Sequence, residues 1–191
     1  SIVSDLVETT ADTLRKSCEN YWPAKDEYDP AERNVSLHFA HAMIAKGFSV
    51  FAEARHPNRQ KVQRIDLLGL SPENEWFLGC EFKRLYSRSD VSSLIDDLER
   101  LDKYSLQSEC HKGFGFVGGL NWVPASKKSS KILDIWKHSE KFSDYPNLSG
   151  EFESRKARLL SPQFVIEFPK EGRYYLLAAM FPIRMDLDSQ D

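Results

Sequence analysis

Apolar residues recur three or four apart at Val3, Leu6, Val7, Ala11 and Leu14, and this spacing predicts a helix over residues 2–20. Asp29-Pro30-Ala31-Glu32 has the composition of a helix start: an N-cap acid, proline at the first helical position and glutamate at the third. That helix is expected to run to about Lys46 and stop at Gly47. Phe48 to Ala54 reads as a strand. Two further strand-like runs, Arg64 to Leu70 and Trp76 to Lys83, flank the turn formers Ser71-Pro72-Glu73-Asn74-Glu75 and predict an antiparallel hairpin. Ser89 or Asp90 is expected to cap a helix with Val91, Leu94, Ile95, Leu98 and Leu101 on one face. Asp96, Asp97, Glu99, Arg100 and Lys103 fall mostly away from that face. Phe114 to Leu120 reads as a buried glycine-rich strand, and Ser129 to Lys141 as a helix carrying Ile132, Leu133, Ile135 and Trp136. Residues 142–158 show no clear pattern; beyond them, Gln163–Phe168 and Arg173–Phe181 predict a second hairpin around Pro169-Lys170-Glu171-Gly172.

Three ionisable residues, Asp66, Glu81 and Lys83, interrupt the otherwise apolar runs of the first hairpin. A charge in a buried run is unfavourable unless a metal ion or an opposite charge compensates it. With the turn centred between Glu73 and Asn74, residues whose numbers sum to about 147 lie opposite one another, so Asp66 faces Glu81. Strand alternation places Lys83 on the side of Glu81 and Cys80 on the other. A one-residue slip would separate the two acids. Two opposed carboxylates repel unless a cation lies between them, and oxygen donors suit Mg²⁺, with Mn²⁺ able to substitute. The competing reading is an ion pair on a sheet face, which needs no chemistry.

At 191 residues the chain is long enough for one domain with a core that needs no staples. Hydrophobic residues are 41% and charged residues 29%, with no run approaching a membrane span, so a non-membrane protein is expected. Three cysteines, Cys18, Cys80 and Cys110, give no zinc spacing and favour a reducing, cytoplasmic setting. A net charge of −3 counts against non-specific coating of nucleic acid but leaves room for local positive charge. Residues 55–64 supply it: Arg55, Arg59, Lys61 and Arg64 carry no acid among them, and read either as a phosphate-contacting rim or as a solvated loop. His38 and His41 lack a third ligand, and Ser126 to Lys131 reads as a solvated helix start.

The order helix, strand, strand, strand, helix, strand, with Asp66 on the second strand and Glu81-Phe82-Lys83 on the third, resembles the PD-(D/E)xK nuclease superfamily, the restriction-endonuclease-like fold. The resemblance spans about residues 29–120, and Ile65 stands where the family name has proline. It implies an α/β fold with an αβββαβ core, a mixed central sheet flanked by helices, an N-terminal helix and a C-terminal β-hairpin extension over about 121–191, all in a single domain over 1–191. It further implies Mg²⁺-dependent hydrolysis of phosphodiester bonds, of DNA in preference to RNA. Asp66 and Glu81 would be metal ligands, the Phe82 carbonyl a further one, and Lys83 the group that positions water or stabilises charge on the phosphate. Glu32 matches an additional helix ligand and equally fits a capping box, while Glu53 is another candidate acid. A homodimer or a protein partner supplying target recognition is expected. The alternatives are a non-catalytic module of the same fold, for nucleic-acid binding or assembly, and a hydrolase of a small phosphorylated compound.

Overall fold

The computed structural model describes residues 1–20, 32–55, 64–73, 75–104, 110, 112–138 and 141–183. A mixed seven-stranded sheet forms its middle layer. In chain order the elements are α1 (Ile2–Asn20), α2 (Glu32–Ala45), β1 (Ser49–Arg55), β2 (Arg64–Leu70), β3 (Trp76–Arg84), α3 (Arg88–Asp102), β4 (Lys112–Pro124), α4 (Lys131–His138), α5 (Leu148–Ser154), β5 (Arg158–Leu159), β6 (Gln163–Phe168) and β7 (Gly172–Ile183). Strands run in the order β1-β2-β3-β4-β7-β5, with β6 also paired to β7. The β3–β4 pair is parallel, bridged by α3, and the other pairs are antiparallel. None of the described helices is long and apolar enough to cross a membrane.

Each sheet face carries its own core. On one, α1 and α2 bring Leu6, Leu14, Phe39 and Met43 onto Leu78, Phe82 and Phe116. Phe39 stacks on Phe116 with ring centroids 4.5 Å apart and tilts against Phe82 at 5.4 Å. On the other, α3, α4 and α5 bring Leu94, Leu98, Leu101, Trp136 and Phe152 onto Phe77, Leu85, Val117 and Phe181. Two buried faces explain why β3 and β4 read as nearly continuous apolar runs. Gly47 ends α2 with φ +86, a left-handed stop that lets the chain turn into β1.

The hairpin register follows the sequence expectation: Leu67 pairs with Cys80, Leu68 with Gly79, Gly69 with Leu78 and Leu70 with Phe77. Several boundaries differ. The α3 cap is Ser87, and Asp90 is the acid of its capping box, its carboxylate accepting from the Ser87 N–H at 2.7 Å. The helix expected over 129–141 spans Lys131–His138, because Ser130 caps it, its hydroxyl accepting from the Leu133 N–H at 3.1 Å. The unpatterned stretch contains α5. The C-terminal hairpin is no appendage: β7 pairs with β4 from Gly113↔Ile183 to Pro124↔Gly172 and completes the central sheet. The proposed cap at Asp29 and Pro30, most of the basic segment including Arg59 and Lys61, and Trp22 lie outside the described residues.

Candidate active site

Where β2 begins and β3 ends, the ladder gives way to side-chain contacts. Main-chain pairing between the two strands stops at Leu67↔Cys80. One residue beyond, the Asp66 carboxylate takes over: its Oδ2 accepts from the Phe82 main-chain N–H at 2.7 Å. Strand alternation also breaks here. Leu67 packs in the α1/α2 core and Ile65 in the α3 core, although residues two apart should share a face. The partner strand is irregular at the same level. Ala52 pairs with Leu67 and Ala54 with Ile65, while Glu53 between them adopts φ +51. A left-handed glutamate in mid-strand is rare and costs of order 1–3 kcal/mol.

The break decides which residues meet. Glu81 and Lys83 share the face toward α3, as alternation requires. Asp66 also borders a groove beneath α2 lined by Glu32, Ser36, Glu53 and Arg64. The two acids flank the Phe82 main chain, and Asp66 lies near enough to help raise the Glu81 pKa.

Two residues that the sequence pattern placed away from the core complete the arrangement. Asp97 and Arg100, on α3, point at β3. Asp97 Oδ2 lies 3.2 Å from Lys83 Nζ, and its Oδ1 accepts from Arg100. Arg100 Nε donates to Glu81 Oε1 at 2.8 Å. Asp97 is 2% exposed. A signal for it existed: it falls three after Leu94 and four before Leu101, within the apolar stripe.

Glu32, the first residue of α2, reaches across and accepts from the Arg84 N–H at 3.3 Å. Arg64 lies 3.9 Å from Glu53 and pairs with it, not with Asp66. Arg55 ends β1, and its carbonyl accepts from the Tyr104 hydroxyl at 3.3 Å. His38 Nδ1 is 3.1 Å from Thr13 Oγ1, and His41 is exposed. Cys80 is buried in the α1/α2 core. Trp76, Trp122 and Trp136 pack against the cores, and the Ser129 and Ser130 hydroxyls bond Asp134 and Asn121.

The charges are not balanced. Among the described residues, Asp66, Glu81 and Asp97 are met by the cations Lys83 and Arg100 within the buried cluster. Burial, then Asp97 and Asp66, push Glu81 from 4.5 to about 8 against the opposing pull of Arg100. Asp66 is raised by burial despite its bond from Phe82 and the nearby Lys83. Asp97 is likewise raised by burial against the pull of Lys83 and Arg100. Burial opposes the Lys83 ammonium, but Asp97, Glu32 and Glu81 outweigh it and hold its pKa above the usual lysine value. The Glu81–Arg100 contact favours the ionised acid locally; the upward direction stands because acids outnumber cations in a desolvated space.

Among the described residues no three histidine, cysteine, aspartate or glutamate side chains form a ready-made metal cage. The donor chemistry nonetheless fits a hard divalent ion. Asp66 uses Oδ2 on Phe82 and Glu81 uses Oε1 on Arg100, which leaves Asp66 Oδ1 and Glu81 Oε2 as oxygen donors. Mg²⁺ binds through one or two carboxylates and keeps several waters, so it does not require a full protein cage. An added cation would also offset the excess of buried acid. No protein-family model, curated protein or solved structure matches this chain.

Proposed function

We propose that this chain is a Mg²⁺-dependent nuclease of the restriction-endonuclease-like class that hydrolyses phosphodiester bonds of DNA, with Mn²⁺ able to substitute. One observation carries the reading. The hairpin register brings Asp66 to the main chain between Glu81 and Lys83, at the point where the β2–β3 ladder ends. The order α2-β1-β2-β3-α3-β4, which is αβββαβ, supports the same class. A divalent ion held there would polarise the scissile phosphate and lower the pKa of its bound water.

The chain's own residues divide the remaining work. Asp66 and Glu81 would hold the ion, with Glu32 close enough to act on Lys83 through space. Lys83, whose pKa its acidic neighbours hold above the usual lysine value, would position the attacking water or stabilise negative charge on the phosphate oxygens. Arg64, which lines the same groove as Asp66, would contact the substrate backbone. Target recognition would come from a second copy or a protein partner.

The Arg100–Glu81 and Lys83–Asp97 pairs favour a second reading, in which the cluster is a closed ionic network in a non-catalytic binding or assembly module. One assay separates the two. Plasmid and single-stranded DNA are incubated with Mg²⁺, Mn²⁺ or chelator, using wild type, Asp66→Ala and Lys83→Ala. Metal-dependent cutting lost in both variants supports the enzyme. DNA binding without cutting supports the module.

A further inference from the structure

Asp97 occupies a costly position. It sits in the apolar stripe of α3 among Leu94, Leu98 and Leu101, each 0% exposed, and is itself 2% exposed. A buried carboxylate there loses its hydration, and an apolar residue of similar size would pack without that penalty. Its two oxygens face different partners: Oδ1 takes a hydrogen bond, and Oδ2 has an ion pair without hydrogen-bond geometry. Oδ2 meets Lys83 Nζ at 3.2 Å, while Oδ1 accepts from Arg100, whose Nε reaches Glu81 Oε1 at 2.8 Å. The resulting chain, Lys83–Asp97–Arg100–Glu81, links both charged members of the β3 triplet from a separate helix.

We propose that Asp97 is a positioning residue of this centre: it fixes where the Lys83 ammonium sits and, by way of Arg100, which oxygen Glu81 leaves available. The assignment rests on the nuclease reading. Lysine carries its charge on a flexible four-carbon stem, so strand geometry alone does not hold the ammonium in place. Charge stabilisation at a reacting phosphate depends on placement to within about 1 Å, and a buried fixed anion provides it. Asp97 does not line the groove beneath α2, and its side-chain contacts run to Lys83 and Arg100.

The test measures DNA cutting by the full chain at saturating Mg²⁺ for wild type, Asp97→Asn, Asp97→Glu, Lys83→Met and the double variant Asp97→Asn/Lys83→Met. Circular dichroism is recorded on each to confirm folding. Asp97→Asn keeps the shape and removes the charge. It should lower kcat about ten- to hundredfold, the usual effect of losing a group that orients a site residue. KM should change little, since ground-state binding is not affected. The double variant should be slower than Lys83→Met by a smaller factor than that by which Asp97→Asn slows wild type, because only the route through Arg100 and Glu81 is left to lose, and Asp97→Glu should restore part of the rate. If Asp97→Asn does not fold, Arg100→Gln takes its place and should lower kcat in the same way. A wild type that cuts while Asp97→Asn, or its replacement Arg100→Gln, cuts equally fast overturns this assignment alone. A double variant in which the Asp97→Asn loss multiplies in full with that of Lys83→Met also overturns it. A wild type that cuts nothing with either metal overturns the nuclease reading and this assignment with it.

Discussion

Replacing Glu81 with glutamine should remove a pH-dependent weakness from the fold. Glu81 is 4% exposed and its pKa rises from 4.5 to about 8, first through burial and then through Asp97 and Asp66. A carboxyl whose folded pKa is raised binds its proton more tightly in the native state. Its stabilising contribution is therefore complete below pH 4.5 and is lost as pH climbs toward about 8. At about 1.36 kcal/mol per pH unit this amounts to a ceiling of about 5 kcal/mol, comparable to the whole net stability of a small domain. Asp66 and Asp97, also raised, act in the same direction. Glutamine imitates the protonated acid, so Glu81→Gln should match wild type near pH 4.5 and gain on it steadily up to pH 8–9. Urea denaturation followed by tryptophan fluorescence, in chelator across this range, reads the difference directly. Parallel stability curves for the two proteins would refute the claim that Glu81 is an acid held against its ionisation. If Glu81 holds the proposed ion, the same linkage should make metal affinity rise with pH up to about 8, because the ion would have to displace the proton.

Three further changes test the packing that positions the site. Phe39→Ala removes a ring that is 0% exposed and contacts both Phe82 and Phe116, and should cost about 3–5 kcal/mol in chemical denaturation. Gly119→Ala would put a Cβ 2.6 Å from the Lys83 carbonyl oxygen and 2.7 Å from a Leu85 methyl. It should destabilise the fold by about 1–3 kcal/mol and displace Lys83, visible as a lowered midpoint together with loss of cutting. Ser87→Ala breaks the capping box of α3, the helix that carries Asp97 and Arg100, and should cost about 1 kcal/mol by thermal unfolding.

The first hairpin was legible because its determinants are local. Turn formers fix the centre, the apolar runs fix the strands, and the register sum follows as an arithmetic consequence. The β4–β7 pairing was not legible, since its partners lie about 50–70 residues apart and no local signal specifies them. Asp97 was misplaced because its polarity outweighed its position, although Leu94 and Leu101 mark it as a stripe residue. The break at Asp66 had no signal at all. The left-handed residue opposite it is a glutamate, where sequence would lead one to look for glycine or asparagine. The short helix α5 buries only Leu148, Ser149 and Phe152, too few to set a period. Candidate chemistry was thus readable as residue types and spacing, whereas Asp97 and Arg100, which pair with Lys83 and Glu81, come from a helix packed onto it in three dimensions.

The most direct check on the centre itself is calorimetric titration of the wild-type chain with Mn²⁺ at pH 8, alongside Asp66→Ala and Glu81→Gln. Saturable binding that either substitution removes is the expected result. Absence of binding heat in wild type, or equal affinity in all three proteins, would contradict the assignment of these two carboxylates to a metal ion.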